Sequence, residues 1–249
     1  MSTYKRLFTF GCSYTSWKWK TWADILGESA EEFYNFGQPG GGNEQIFFRI
    51  IEANKKYNFT KDDTVAVCWT YYFRKDRWEA NKWTGKETPS DWHKGWDILS
   101  WFKKEDINPD EQYLKTLSYI SACNSWLPKI CKYLSFSVVD FSKHSKPSRN
   151  VPWESNLQKK FESESTQFDN KNYNAVFDIL DDTYCEKRIS KHLRPVYEVN
   201  GLPDKHPTPL EHAYFLENIL GIHINEETKE KISEWEIKMR HSVLNKSDG

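Results

Sequence analysis

The chain predicts an α/β protein built on a central parallel sheet, and three observations predict it. Short apolar runs at 7–10, 32–37 and 64–70 alternate with amphipathic helical patterns, one ending at Gly27 and one at about 44–57. Strand, helix, strand, helix, strand is the order of parallel strands joined by right-handed crossovers. Thr64-Val65-Ala66-Val67-Cys68-Trp69-Thr70 is almost continuously apolar, as a strand covered on both faces requires. Finally, 249 residues are enough for one large core, and no linker-like composition break divides them. One domain over 1–249 is expected, with insertions at about 71–110 and 142–175.

Leu7-Phe8-Thr9-Phe10 reads as the first strand, buried, and Gly11 permits an unusual backbone angle in the Gly11-Cys12-Ser13 turn that follows. Thr15 or Ser16 can cap the next helix, in which Trp19, Trp22, Ala23 and Leu26 share a face and Gly27 stands at a C-terminal cap position. Ser13 therefore sits at the carboxyl end of the first strand, where α/β folds bind ligands. Glu32-Phe33-Tyr34-Asn35-Phe36-Gly37 forms a short aromatic strand, and Gln38-Pro39-Gly40-Gly41-Gly42-Asn43 follows it. Three consecutive glycines either make a flexible loop or let backbone N–H groups approach something closely, and Asn43 can cap the next helix. That helix carries Ile46, Phe47, Ile50 and Ile51 at helical spacing.

The third strand, 64–70, is introduced by the Asp62-Asp63 turn. From Tyr71 to about Asp110 regularity fades, and Trp78, Trp83, Trp92, Trp96 and Trp101 stand among charged residues, Gly and Pro. A segment of that length without periodicity reads as a functional loop or lid. A long helix begins near Pro109-Asp110, with Leu117, Ile120, Leu127, Cys131 and Leu134 along one face and a kink position at Pro128. A fourth strand is expected at about 133–141, a polar surface excursion over 142–175, a short helix around 175–184 and a fifth strand near 196–199. Thr208 and Glu211 make a capping box with Pro209 at the first helical position, so a helix starts there and stops at Gly221. Asp204 and His206 consequently lie on the loop before it. The last helix, 226–243, begins after Asn225 and places Ile232, Trp235 and Met239 on a packing face.

Lys plus Arg at 35 against Asp plus Glu at 36 leaves no basic excess for a phosphate backbone, so nucleic acid is not an expected partner. No charged n-region followed by an apolar h-region opens the chain, and no apolar run has the length of a bilayer span. A soluble cytoplasmic protein that does not engage membrane is expected. The five cysteines, at 12, 68, 123, 131 and 185, lack C-x-x-C pairing and read as reduced thiols, mostly in the core. Twelve Trp, 13 Tyr and 15 Phe in a polar chain place some rings near the surface, as a binding face or as caps on the core.

A strand-end Gly-Cys-Ser, an Asn-x-Gly-x-x-Gly turn after the second strand and a late Asp-x-His-Pro resemble the SGNH (GDSL-like) hydrolase family, in the right order over nearly the whole chain. The wording of Trp22-Ala23-Asp24-Ile25-Leu26 and His206-Pro207-Thr208-Pro209-Leu210-Glu211-His212 is similar to a branch common in bacteriophage genomes, which would place the protein in the host cytoplasm. The resemblance implies a flavodoxin-like three-layer α/β/α sandwich. It implies Ser13 as nucleophile, His206 as base, Asp204 as the carboxylate that orients the base, and Ser13 and Gly40 as backbone donors to an oxyanion hole. The family's third block presents an Asn after the third strand, whereas here the stretch reads Trp69-Thr70-Tyr71-Tyr72. Tyr71 through its hydroxyl, or Asn43 from the glycine loop, is the candidate replacement, and an incomplete hole is the third possibility. A single residue, Lys205, separates Asp204 from His206, where many members have two.

These assignments suit the chemistry, since a serine needs a base in reach, a carboxylate behind the base and donors aimed at the oxyanion. No metal and no cofactor is called for. The expected activity is removal of a small acyl group, acetyl above all, from a carbohydrate or similar small-molecule ester. Trp69, Arg74 and Trp78 are the expected substrate contacts, Arg74 and Arg77 being either anion-binding or part of a solvated face. The alternative is a catalytically weak member that binds glycan or protein, and an acyltransferase is a third reading. Oligomeric state is not encoded in any pattern of the sequence.

Overall fold

The computed structural model describes residues 3–72, 74, 76, 109–138, 198–199, 202–203 and 206–244. Among these, four parallel strands form one sheet in the order β2-β1-β3-β4: β1 (Tyr4–Gly11), β2 (Ala30–Gly37), β3 (Asp63–Trp69) and β4 (Lys132–Ser137). The helices are α1 (Trp22–Gly27), α2 (Asn43–Tyr57), α3 (Pro109–Ile130), α4 (Pro209–Tyr214), which runs into one π-helical turn at Phe215–Ile219, and α5 (Glu226–Leu244).

The chain steps one way from β1 to β2 and the other way from β2 to β3 and β4. Right-handed crossovers then send α1 to one face of the sheet and α2 and α3 to the opposite face. The packing agrees. Helix α2 lies against α3, with Phe47 stacked on Tyr119 at 5.0 Å between ring centroids. Helix α1 lies against α4, and α4 against α5; Trp22 of α1 meets Phe136 of β4 edge-on at 4.8 Å, and Phe136 meets Phe215 at 5.4 Å. The architecture is the three-layer α/β/α sandwich, in the first four positions of the flavodoxin strand order.

Burial explains the strand order. Leu7, Phe8, Thr9 and Phe10 of β1 and Val65 through Trp69 of β3 are fully buried, as central strands covered on both faces must be. Strand β2, at one edge of these four, is half-exposed. Its aromatic residues pair with β1 in register, Phe8 stacking on Tyr34 at 4.8 Å and Phe10 on Phe36 at 5.1 Å. At the opposite end from Ser13, Arg6 and Asp63 are register partners on β1 and β3. The Arg6 guanidinium donates through Nε and Nη2, each at 2.6 Å, to the buried Asp63 carboxylate, which also accepts from the Thr60 N–H at 2.6 Å and the Thr60 hydroxyl at 3.0 Å.

Several local expectations shift. Helix α1 is capped by Thr21, whose N–H donates to Asp24 Oδ2 at 2.9 Å, and not by Thr15 or Ser16, which close a separate turn onto Cys12. Gly27 is required by packing and not as a cap, because a Cβ there would lie 2.6 Å from the Phe33 ring. Gly42 is the N-cap of α2 and Asn43 its first helical residue. Ile51 is 40% exposed, and Ile46, Ile50 and Ala53 form the buried face. Cys131 and Leu134 fall beyond α3, Leu134 within β4. The capping box at Thr208 and Glu211 is present, Gly221 ends that helix at φ +66°, and Asn225 accepts from the Thr228 N–H at 2.8 Å to start α5. Within the predicted 196–199 strand, Glu198–Val199 pairs with Leu202–Pro203 in a two-stranded antiparallel ribbon apart from the main sheet.

Most of the predicted 71–110 loop, the 142–175 excursion, the 175–184 helix and Cys185 lie outside the described residues. Cys12, Cys68, Cys123 and Cys131 are buried and free. No described helix is long and apolar enough to cross a membrane.

Candidate active site

The carboxyl end of β1 turns sharply over the sheet: the N–H groups of Thr15 and Ser16 donate to Cys12 O at 2.9 and 3.2 Å. Ser13 opens this turn and is 2% exposed. The turn sits directly on its neighbours, which explains Gly11. A Cβ on Gly11 would lie 2.0 Å from Thr15 Oγ1 and 2.9 Å from the Cys68 carbonyl oxygen of β3. Thr15 can rotate, but the Cys68 carbonyl is sheet backbone. Gly11→Ala is expected to cost about 1–3 kcal/mol of stability by overpacking and to lower any Ser13-dependent turnover, as urea melts and rate measurements would show.

The imidazole of His206 meets this serine across 193 residues of sequence, with Nε2 at 2.8 Å from Ser13 Oγ. Three rings hold it there. The Trp17 ring stacks on His206 at 3.8 Å and 16° between planes, and the Tyr14 ring lies at 5.2 Å. The Trp19 indole N–H donates to the Pro207 carbonyl at 2.7 Å. The capping box that starts α4 follows at Thr208, and α4 packs on α1. The segment just after Ser13 thus grips the loop that carries His206 from both the ring and the backbone side. Asp204, the expected orienting carboxylate, lies outside the described residues, as does Trp78.

The glycine segment stands at the carboxyl end of β2, beside β1, with the Gln38 N–H donating to Gly11 O at 2.9 Å. Pro39, Gly40 at φ +81° and the Gly41 N–H donating to Gln38 O at 3.0 Å have the features of a type II turn, whose third residue needs a positive φ. Gly40 is buried within this turn.

Other expected site residues have different occupations. The side-chain amide of Asn43 donates to Thr70 O at 2.9 Å and to Thr116 Oγ1 at 3.1 Å, and its oxygen accepts from the Thr70 N–H at 2.8 Å. Both amide hydrogens are committed to tying α2 to the end of β3 and to α3, which leaves none for an oxyanion. Trp69 is fully buried, its indole N–H donating to Ser135 Oγ at 3.0 Å, so it is a core residue and not a substrate contact. Continuity of the apolar strand, which ends at Trp69, decides this. Tyr71 shares a hydrogen bond with Tyr14; burial first, and then Tyr71, holds the Tyr14 phenol well above its ordinary pKa. Arg74 is 4% exposed, not part of a solvated face, and donates to Gly41 O at 3.0 Å with its guanidinium 5.2 Å from the Tyr71 ring centroid.

Tyr14, Trp17, Trp19 and Asp76 went unread in the sequence as site residues. Trp17 and Trp19, alternating with Lys18 and Lys20 within a few residues of Ser13, were the available signal. Asp76 had none. Its carboxylate accepts from the Gly42 N–H at 2.8 Å and the Gln45 N–H at 2.9 Å, partners 34 and 31 residues away. Burial pushes the Asp76 carboxyl up to about 6, against the pull of those two N–H groups and Arg74.

A parallel α/β sheet with a serine hydroxyl at the end of its first strand, hydrogen-bonded to an imidazole, defines a candidate nucleophile and base. No protein-family model and no curated protein matches the chain. Among solved structures, it is similar to a protein described as lipolytic, of the G-D-S-L family, from Desulfitobacterium hafniense DCB-2. The identity there is 15% and the TM-score 0.42, over 84% of this chain and 97% of the other. It is also similar to a GDSL-like lipase from Bacteroides thetaiotaomicron VPI-5482, at 17% identity and a TM-score of 0.41, over 92% and 88% of the two chains.

Proposed function

We propose that the chain is a serine ester hydrolase that removes a small acyl group, acetyl above all, from a carbohydrate or similar polyol. The observation that carries the reading is the 2.8 Å approach of His206 Nε2 to Ser13 Oγ at the carboxyl end of β1. In this mechanism Ser13 Oγ attacks the ester carbonyl carbon while its proton passes to His206 Nε2. The negative carbonyl oxygen is received by the backbone N–H groups of Ser13 and Gly40. The tetrahedral intermediate collapses, the C–O bond to the alcohol breaks, and His206 returns the proton to the leaving oxygen. Water then attacks the acyl-serine, again giving its proton to His206, and the carboxylic acid departs as Ser13 is regenerated. Asp204 is the carboxylate assigned to orient the imidazole.

The small acyl pocket is supported by the crowding at Ser13, which is almost fully buried beside Tyr14, Trp17 and His206. Hydrolysis of p-nitrophenyl esters from acetyl to octanoyl tests the reading. Turnover is expected to be highest with acetyl and to fall with chain length, and acetate release from acetylated oligosaccharides is expected beside it. Equal slow rates in the wild type and Ser13→Ala would overturn it.

A further inference from the structure

The Gly41–Gly42 peptide is held at both ends by side chains from one short segment after β3. Its carbonyl, on Gly41, accepts from Arg74 Nη1 at 3.0 Å, and its N–H, on Gly42, donates to Asp76 Oδ1 at 2.8 Å. Carbonyl and N–H of a trans peptide point in opposite directions. A cation and an anion two residues apart therefore grip one peptide plane from its two sides. The other Asp76 oxygen accepts from the Gln45 N–H at 2.9 Å, so the same carboxylate caps α2.

The glycines explain why such a grip is needed. A Cβ on Gly42 would lie 2.6 Å from Asp76 Oδ2, and one on Gly41 2.2 Å from Gln45 Oε1. A Cβ at either position would push the Gln45 or Asp76 side chain away, and a peptide between two glycines has little conformational restraint of its own. The turn immediately before it contains Gly40. The Gly40 N–H lies on the Pro39–Gly40 peptide of that turn, whose closing bond is donated by the Gly41 N–H, so an unpinned 41–42 plane loosens the residue that closes the turn and, through it, the seat of the Gly40 N–H. Two further bonds, from Asn43 to both backbone groups of Thr70, join the base of this segment to the start of α2.

We propose that Arg74 and Asp76 are positioning residues that fix the Gly41–Gly42 peptide and thereby the direction of the Gly40 N–H toward the oxyanion. This rests on the reading of Ser13 and Gly40 given above. It also accounts for a buried arginine beside a site without the third-block asparagine.

The test is steady-state hydrolysis of p-nitrophenyl acetate by the wild type, Ser13→Ala, Arg74→Gln, Asp76→Asn and the Arg74→Gln/Asp76→Asn double variant. Losing a well-aimed oxyanion donor commonly costs about 10²–10³ in turnover, so each clamp variant is expected to lose at least about tenfold in kcat with KM within about twofold. The double variant is expected to lose no more than the worse single one, because either loss frees the same peptide. Should Asp76→Asn fail to fold, Arg74→Gln carries the test, since it leaves the cap of α2 intact. Unchanged kcat in the clamp variants of an active wild type, or multiplicative losses in the double variant, would overturn the proposal alone. No Ser13-dependent turnover in the wild type would overturn the catalytic reading and this proposal with it.

Discussion

Ser13→Ala and His206→Gln are each expected to lower kcat for p-nitrophenyl acetate by on the order of 10⁴-fold or more, as nucleophile and base variants do when the two act as a unit. The double variant should be no slower than either single one, because in the proposed mechanism neither residue works without the other. The Ser13 Oγ to His206 Nε2 contact of 2.8 Å is the structural ground for that non-additivity. Stability separates chemistry from folding. Ser13→Ala removes one hydroxyl whose net hydrogen-bond contribution is about 1 kcal/mol, or a 2–4 °C change in Tm for a chain of this size. Glutamine keeps a polar group under Trp17 in place of the imidazole. A loss of turnover with Tm preserved assigns the chemistry; a parallel collapse of both measurements, or turnover that survives, would sink the assignment.

Removing Asp63 is expected to be the most destabilising single change at the far end of the sheet. Asp63→Ala leaves the Arg6 guanidinium without its carboxylate and the Thr60 N–H without its acceptor, between the two central strands. The Arg6 side chain is 22% exposed and also donates to Tyr57 O at 3.3 Å, so the loss is that of leaving partly buried donors unsatisfied, about 1–3 kcal/mol, still a sizeable share of the ~5–15 kcal/mol that stabilises a typical domain. The effect depends on pH in a stated direction. Burial disfavours the charged carboxylate, but the hydrogen bonds from Arg6 and Thr60 outweigh it and hold Asp63 below its ordinary pKa. In the acid range the unfolded chain therefore binds more protons at this position than the folded one, and stability rises with pH there. The Asp63 contribution is fully present above about 3.9, the ordinary aspartate value, and is lost as pH falls through the lowered folded-state value. Urea melts of wild type and Asp63→Ala should show a constant gap from pH 7 to about pH 4 that closes below it. A gap under about 1 kcal/mol at pH 7, the ceiling for an exposed pair, would contradict the burial argument.

Patterns spanning a few residues were legible in the sequence. Continuous apolar runs marked β1 and β3 because both faces of those strands are covered. The capping box at Thr208 and Glu211, the stop at Gly221 and the start after Asn225 were legible because a cap is made by groups three or four residues apart. Ser13 and His206 could be singled out as separate blocks. Their 2.8 Å meeting belongs to the fold, which brings the loop before α4 across to the turn after β1.

Where a residue type was right and its partner distant, the sequence misled. Asn43 has the composition of a helix cap or an oxyanion donor, but Thr70 and Thr116 arrive from β3 and α3 and take both of its amide hydrogens. Trp69 looked available to a substrate and is sealed into the sheet, with Ser135 of the neighbouring strand on its indole N–H. Arg74 has the composition of a substrate contact or a solvated charge and Asp76 carries no signal, yet both reach the glycine turn more than 30 residues earlier in the chain. By itself the sequence determined the four strands of the sheet, the helices among the described residues, their order and the ends of α4 and α5, because dihedral preferences, apolar periodicity and local hydrogen bonds act within a few residues. Only the tertiary structure decided which polar groups are spent on other parts of the fold and which remain at the site, because most buried donors and acceptors are satisfied by whatever packing brings into hydrogen-bond reach.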